Sequence, residues 1–392
     1  MNSIEKKEKI EKIENDDFEK DTDQDENNES GTNEGPFDYD KIDIDISTIN
    51  IGYLIEQLEY NEIELSPDFQ RSVVWDEIKK SKLIESVLLG LPLPSFYFSE
   101  DPATNKLVIV DGLQRISAFK SFMLDKEKPL KLKGMEFLTN LEGKTYKDLD
   151  RTLIRRLKGL KITLNTLKKD TPTEVKYELF KRVNTAGVPL TAQEMRNALY
   201  QGKATKLLNR MVEADSFKNA TGGINPKRML DRDFANRFIA FYHRIAEKYN
   251  GKLDSFMGDA LDDINKMDDN EISKVYVAFD TSMSVCFQLL GNKAFRRPDP
   301  KKNEEFLKNN KSIFEALSVS IAKLNEQDHK ELISKKDLFK EEWYKLLQNE
   351  EFVLSVTSGT AKAPQVEKRF SKVQELIKKV IGNDQQIPTE EF

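Results

Sequence analysis

The sequence predicts an α+β domain followed by an α-helical domain. Two short apolar runs, at Ser95–Ser99 and Leu107–Val110, are typical of strands, and turn residues lie around them. Gly112 ends the second run and begins a segment whose apolar residues recur with helical spacing as far as Phe122. From Thr173 onward, helical periodicity continues almost throughout. We therefore expect strands and helices to mix in the N-terminal part and helices alone to build the rest.

The length also favours more than one domain. A chain of 392 residues exceeds the roughly 250 to 300 residues at which a single hydrophobic core stops growing. We expect a tail at 1–40, an α+β domain at 41–170 and an α-helical domain at 171–392. The tail is rich in Lys, Glu, Asp and Asn and poor in aromatic residues, a composition typical of a disordered acidic extension. Its alternative role is an arm that folds on a partner.

The N-terminal elements are predicted from apolar spacing and from the residues that break it. Ile42, Ile44 and Ile46 alternate with Asp, and Ser47 and Thr48 then favour the start of an amphipathic helix. The other expected elements of this domain are a short strand from Ile63 stopped by Pro67, a helix at Trp75–Gly90, and a strand at Leu160–Leu164.

The C-terminal elements are predicted to be helices. Thr191 stands three residues before Glu194, which is the spacing of a capping box at a helix N-terminus. Helices are expected from residue 173 onward, including segments near 233–249, 270–290, 302–324 and 366–381.

Composition indicates a soluble, slightly acidic protein. Lys and Arg number 62 against 68 Asp and Glu, a net charge of −6, so nucleic-acid binding would need a local basic patch. Cys286 is the only cysteine, which excludes an intrachain disulfide, a four-cysteine zinc site and a redox pair. The N-terminus lacks the apolar core of a signal peptide, and no stretch approaches the roughly 18 apolar residues of a membrane span. We therefore expect a cytoplasmic protein with no membrane contact.

The segment from Val108 to Arg115 is the strongest candidate for chemistry. A strand that ends in Asp111-Gly112 and turns directly into a helix directs backbone N–H groups and the positive end of the helix dipole at one place. Gly112 allows close approach of a phosphate, Arg115 offers a guanidinium suited to phosphate oxygens, and Asp111 can hold a metal ion. The alternative is an ordinary helix start, with Asp111 as its cap and Arg115 paired to a surface carboxylate.

Two further polar clusters are candidate parts of a binding site. Gln70 and Arg71 stand between the aromatic residues Phe69 and Trp75, as in a pocket wall, although the aromatic residues would serve equally as core anchors. A Gly-Pro loop between two helices is flanked by the polar residues Arg182, Asn184 and Arg196, which could contact a phosphate or a base or could brace the loop.

Together these segments resemble the bacterial defence family that shares the N-terminal domain of GmrSD-type modification-dependent restriction enzymes. The resemblance covers about 46–200 and rests on four motifs. These are Pro67-Asp68-Phe69-Gln70-Arg71 with Trp75, the helix end Leu83-Ile84-Glu85-Ser86-Val87-Leu88-Leu89-Gly90-Leu91-Pro92-Leu93-Pro94, the turn Asp111-Gly112-Leu113-Gln114-Arg115, and the segment from Phe180 to Glu194. Leu113 departs from the family pattern, which has a glutamine there.

The resemblance implies a ParB/sulfiredoxin-like N-terminal fold and a nucleotide site. It implies binding of a nucleoside triphosphate, GTP or ATP with Mg²⁺, and hydrolysis as a further expectation. It also implies control of a DNA-cleaving activity, with DNA, a separate effector or a nuclease protein as partner. The expected catalytic residues are Asp111, Gln114 and Arg115, with Asp111 also the metal ligand; the expected nucleotide-binding residues are Gln70, Arg71, Gly112, Arg182 and Asn184.

Two other functions remain open from the sequence. One is a non-catalytic DNA-binding or scaffold protein that uses the same arginines on the DNA backbone. The other, ranked lower, is a DNA nuclease. A His-Asn-His-type nuclease is not expected within this chain, because its two histidines, His243 and His329, lie in helical segments and in no such motif.

Overall fold

A computed structural model of the protein describes residues 43–64, 75–101, 106–183, 190–244, 249–299 and 305–382. The chain forms two compact units. One, which we refer to as the sheet unit, comprises Pro36–Gln201 and Pro226–Met229, and the other, the helical unit, comprises Gly202–Asn225 and Leu230–Phe392. A small mixed sheet in the first and mainly helices in the second confirm the predicted fold class. The tail expected at 1–40 lies outside the described residues.

The sheet unit alternates strands and helices along the chain. Its strands are β1 (Ile44–Asn50), β2 (Ile63–Glu64), β3 (Phe96–Glu100), β4 (Leu107–Asp111) and β5 (Lys161–Leu167). Its helices are α1 (Ile51–Glu59), α2 (Glu77–Leu89), α3 (Leu113–Met123), α4 (Arg151–Gly159), α5 (Thr173–Val183) and α6 (Ala192–Leu199).

The five strands form one sheet in the order β1-β5-β3-β4-β2. β5 runs antiparallel to β1 and parallel to β3, and β3 runs antiparallel to β4. Tyr97 of β3 is paired with Asp111 on one side and with Asn165 on the other. The strand directions therefore place the end of β4 and the beginning of β5 at the same end of the sheet.

Helices cover both faces of this sheet. Phe96 and Phe98 belong to a large core cluster that includes residues of α1, α2, α3 and α4. Tyr97 packs against a second cluster formed with residues of α5 and α6. Because successive side chains of a strand point to opposite faces, the two clusters lie on opposite sides of the sheet.

The start of the first helix differs from the expectation. Ser47 and Thr48 are strand residues, because β1 continues to Asn50 and pairs with β5 along its whole length. The side chain of Asn50 then accepts a hydrogen bond from the Tyr53 N–H at 2.8 Å and caps α1. The long-range pairing of β1 with β5, about 115 residues later, outweighs the local helix-start signal.

The helical unit contains ten helices and one short hairpin among its described residues. The helices are α7 (Lys203–Glu213), α8 (Asp215–Thr221), α9 (Leu230–His243), α10 (Leu253–Lys266), α11 (Asp269–Leu290), α12 (Lys311–Ala322), α13 (Glu326–Ser334), α14 (Lys336–Leu346), α15 (Glu350–Ser355) and α16 (Ala363–Ile381). The hairpin joins β6 (Arg296–Pro298) to β7 (Phe306–Asn309). The helix expected from residue 302 is therefore wrong at its start, since β7 precedes it and Asn310 caps α12.

The core of the helical unit is aromatic and contains a buried ion cluster. Glu315, fully buried, accepts from Arg237 at 2.9 Å and from Nε of Arg369 at 2.8 Å. The two guanidinium groups thus compensate the buried carboxylate charge, which would be costly to bury without a partner. The boundary between the two compact units falls near residue 201, because α5 and α6 pack on the sheet. Independent folding of the expected domain at 41–170 stays a prediction.

Candidate functional site

The turn between β4 and α3 has a conformation that suits only glycine. β4 is a buried run that ends at Asp111, and Gly112 follows with φ of +105° before α3 begins. A Cβ on Gly112 would lie 2.4 Å from Cδ1 of Phe96. Both the backbone angle and the neighbouring ring therefore exclude a larger residue. Glycine brings no side chain to cap α3, and no side chain caps this helix N-terminus.

Asp111 and Arg115 form an ion pair across the first turn of α3. Nη2 of Arg115 lies 2.7 Å from Oδ2 of Asp111, and the two side chains are 11% and 26% exposed, respectively. The Arg115 guanidinium also donates to the carbonyl oxygens of Pro94 and Ser95. Its Cζ lies 4.2 Å from the centroid of the Phe96 ring. Arg115 thus links the residues just before β3 to the start of α3. Its ion-pair partner is Asp111 rather than a surface carboxylate.

The burial of this pair changes both pKa values. Burial raises the pKa of Asp111, against the opposing effects of the Arg115 charge and of a hydrogen bond from the Gly112 backbone. Burial likewise lowers the pKa of Arg115, opposed by the Asp111 charge. The ionised carboxylate is therefore incompletely stabilised by its protein partners. An additional cation at this carboxylate would favour its charged form.

Gln114 connects the turn to the segment that carries Gln70 and Arg71. The Trp75 N–H donates to Oε1 of Gln114 at 3.2 Å, across 39 residues of sequence. Gln70 and Arg71 themselves lie outside the described residues. Of the first motif, the bond therefore places Trp75 at the first turn of α3.

The third motif segment packs behind the same turn. Val110, the residue before Asp111, belongs to a buried cluster with Tyr177 and Phe180 of α5 and Met195 of α6. Arg182 follows Phe180 by two residues and is exposed. Asn184 lies outside the described residues. Three motifs that are far apart in the sequence therefore meet around the end of β4.

Polar residues of α6 are buried rather than directed at solvent. Arg196 is 2% exposed and donates to Oε1 of Gln193 at 3.0 Å. Glu194 completes a capping box with Thr191 and accepts from Arg228 at 2.9 Å. Of the two alternatives given by the sequence for Arg196, its burial does not fit contact with a phosphate or a base. Asn197 of α6 is also fully buried. The spacing of apolar residues in the sequence did not predict that polar side chains of α6 would be buried.

Glu85 is a buried residue of the second motif that the sequence reasoning missed. Its carboxylate accepts the N–H groups of Glu136, Phe137 and Leu138 at 3.1, 2.8 and 2.8 Å. Burial alone would raise the pKa of Glu85, but these three bonds outweigh it and hold the pKa below its usual value. The glutamate fixes the loop after α3 onto α2, and in this way supports the core beneath the turn.

No group of three or more His, Cys, Asp or Glu side chains within the described ranges could hold a metal ion. Asp111 is the carboxylate of the turn itself, and its Oδ2 is engaged by Arg115. A Mg²⁺ ion at Asp111 stays a prediction. Leu113 is buried in the large core cluster, so it points away from such a ligand.

Comparison with known families agrees with this geometry. Residues 51–201 match the family model described as the N-terminal domain of the GmrSD restriction endonuclease. The chain carries a GmrSD-type N-terminal domain. The matched range contains all four motifs and α1–α6, and it confirms the resemblance predicted from about 46–200. No curated protein and no solved structure matches the chain.

The GmrSD-type domain suggests a restriction or phage-defence context.

His243 and His329 lie outside the domain, in α9 and α13 of the helical unit. His243 lies 3.5 Å from the Asp263 carboxylate, and Nε2 of His329 lies 2.8 Å from the carbonyl oxygen of Ile321. Among the described segments, no helix is both long enough and apolar enough to span a bilayer.

Proposed function

We propose that the GmrSD-type domain binds a nucleoside triphosphate, GTP or ATP with Mg²⁺, at the Asp111–Arg115 turn, within a restriction-type defence system. The observation that carries the proposal is the hydrogen bond from Trp75 to Gln114. It joins two motif segments at one helix N-terminus, and the third segment packs behind it. A turn of this kind is suited to phosphate groups.

Each part of the turn has a role in this proposal. The backbone N–H groups and dipole of α3 face the phosphates, and Gly112 allows the tight turn that the neighbouring Phe96 ring requires. Asp111 would hold the Mg²⁺ ion, and the ion would supply positive charge beside the phosphates. A bound cation would also favour the ionised form of Asp111, whose pKa is raised by burial.

The phosphate charge needs cations besides Arg115, whose guanidinium is already engaged by Asp111 and by two carbonyl groups. We assign that neutralisation to Arg71 and Arg182, and contacts to the base or ribose to Gln70 and Asn184. Arg115 then acts as a positioning residue that fixes the Asp111 carboxylate. Arg182 is exposed and follows the buried Phe180, which supports its assignment.

Binding, rather than rapid hydrolysis, is the proposed activity. Gln114 and Arg115 both make protein contacts at the turn, and Leu113 is buried in the core. None of the three would position an attacking water without a change of conformation. The nucleotide state would instead signal to DNA or to a separate effector or nuclease protein.

Calorimetric titration tests this proposal. Wild-type protein should bind ATP or GTP, and binding should be stronger with Mg²⁺. Arg182→Ala should weaken binding at least about tenfold, as expected for loss of a charge-assisted phosphate contact, and Asp111→Asn should remove the effect of Mg²⁺. Lys181→Ala, the adjacent exposed cation, is the matched control and should bind normally. The proposal fails if wild type binds neither nucleotide, or if Arg182→Ala and Asp111→Asn both behave like Lys181→Ala.

A further inference from the structure

A basic surface lies on the sheet unit, apart from the residues assigned to the nucleotide. Six cations and two acids occupy residues 147–161, in a chain of net charge −6. All six cations are exposed; they are Lys147, Arg151, Arg155, Arg156, Lys158 and Lys161. This local excess is the kind of patch that the overall charge conceals.

The two acids of the segment are engaged by the backbone. Asp148 accepts the Thr145 N–H at 2.8 Å, and Asp150 accepts the Leu153 N–H at 2.9 Å as the cap of α4. Within the part of the chain that the structure describes, none of the six cations forms an ion pair. With six cations against two acids, the segment carries a net charge of +4.

Three of the cations form a stripe along α4. Arg151, Arg155 and Lys158 are spaced four and three residues apart, which places them on one helical face. Like charges at these spacings destabilise a helix, and Arg151 stands in the first turn, where the helix dipole disfavours a cation. Folding alone gives no reason for this arrangement, since Leu153, Ile154 and Leu157 already anchor the helix to the core.

The stripe fits a row of phosphates. Seven residues of helix rise about 10 Å, and one strand of duplex DNA presents a phosphate about every 3.4 Å along the axis. Because the backbone also winds around that axis, neighbouring phosphates lie farther apart than this rise, and the stripe is long enough to contact about two phosphates of one strand. Binding of single strands commonly uses exposed aromatic side chains for base stacking. Residues 147–161 include no aromatic residue, and the preceding Tyr146 packs edge-on against Phe122 at 5.9 Å between ring centroids.

We propose that α4 is a contact surface for the sugar-phosphate backbone of duplex DNA, with Arg151, Arg155 and Lys158 as its central contacts. It shares no residue with the nucleotide site. The end of α4 leads into β5 at the end of the sheet where β4 reaches Asp111, so the two sites are neighbours on one unit. Contacts to phosphates carry affinity without sequence preference.

Fluorescence anisotropy with a labelled duplex of about 20 base pairs tests this surface, using full-length protein and a series of salt concentrations. The triple variant Arg151→Gln, Arg155→Gln, Lys158→Gln should bind at least about tenfold more weakly at low salt. Its slope of log affinity against log salt should be shallower by about 2, close to one for each lost phosphate contact. The control triple Lys274→Gln, Lys336→Gln, Lys340→Gln removes the same charge from exposed positions of the helical unit and should bind like wild type.

Several outcomes overturn the proposal. These are a wild-type protein that does not bind duplex at low salt, a stripe variant with unchanged affinity and slope, and a control triple that loses as much affinity as the stripe variant. Stronger binding to a single strand of the same sequence also overturns it. The stripe variant should melt no lower than wild type, because the like charges of the stripe destabilise α4, and it should keep the wild-type calorimetric nucleotide affinity. Failure of DNA binding is therefore distinguishable from failure of the nucleotide proposal.

Discussion

The Phe96 ring lies between Arg115 and Gly112. Cζ of Arg115 is 4.2 Å from the ring centroid, and Cδ1 of the same ring occupies the space that a Gly112 side chain would need. Phe96, the first residue of β3, thus packs against both Gly112 and Arg115. The residues that characterise the turn in sequence are therefore also part of the packing that holds it.

Arg115→Ala is expected to destabilise the protein. It removes a mostly buried partner of Asp111 and the donors to Pro94 and Ser95, which should cost about 2–4 kcal/mol of unfolding free energy. Urea denaturation measures this loss, with Lys181→Ala as an exposed control expected to change stability by less than about 0.5 kcal/mol. Equal stability of the two variants would show that Arg115 does not hold the turn.

Gly112→Ala is expected to disrupt the turn more than an ordinary glycine replacement. The added Cβ would meet the Phe96 ring at 2.4 Å and would force an alanine into φ of +105°. The combined strain should cost roughly 2–4 kcal/mol and should lower the melting temperature. Gly143→Ala is the matched control, because it too has positive φ but no neighbour within 4 Å of the new Cβ. Similar losses in both variants would contradict the role of Phe96.

Mg²⁺-dependent nucleotide binding should weaken with acid at a higher pH than an ordinary aspartate would give. Burial raises the pKa of Asp111 above 3.8, and only its ionised form can hold the cation. As pH falls through that raised pKa, the carboxylate takes up a proton and the Mg²⁺-dependent part of the affinity is lost. Calorimetry at a series of pH values measures the midpoint, and Asp111→Asn should show no such transition. A midpoint at or below 3.8 would be inconsistent with this account.

Glu85→Gln should reduce stability at neutral pH by about 1–3 kcal/mol, since it replaces a carboxylate that accepts three N–H groups. The pKa of Glu85 is held below 4.5 in the folded protein. Its stabilising contribution is therefore complete above pH 4.5 and is lost as the pH falls through the folded-state pKa. Denaturation curves should converge for wild type and variant in acid. Glu136→Gln, an exposed control, should have little effect, and a constant Glu85→Gln difference at every pH would rule out this explanation.

Local pattern was sufficient to predict the elements nearest the site. The apolar run before Asp111 and the glycine after it predicted β4 and α3, and the Thr191–Glu194 spacing predicted the cap of α6. These elements depend on neighbours in sequence. The extension of β1 to Asn50 depends on pairing with β5, which no local pattern contains.

Side-chain direction at the site was harder to predict than its location. The Asp111–Arg115 segment was identified from sequence, yet Arg115 was expected to face a ligand and instead contacts Pro94, Ser95 and Phe96. Those partners lie about 20 residues earlier in the chain and become neighbours only when β3 pairs with β4. The buried amide and charged groups of α6 escaped prediction for the same reason.

Trp75 offers the most direct test of the nucleotide site, because its backbone is bonded to Gln114 at the turn. The chain has two tryptophans, and the other, Trp343, is buried in the helical unit, so Trp343→Phe leaves Trp75 as the only tryptophan reporter. Titration of this variant with ATP or GTP and Mg²⁺ should change Trp75 fluorescence saturably, with the dissociation constant found by calorimetry. The same titration after Arg182→Ala should require at least about tenfold more nucleotide. Calorimetric binding without any change at Trp75 would place the nucleotide elsewhere and contradict the proposed site.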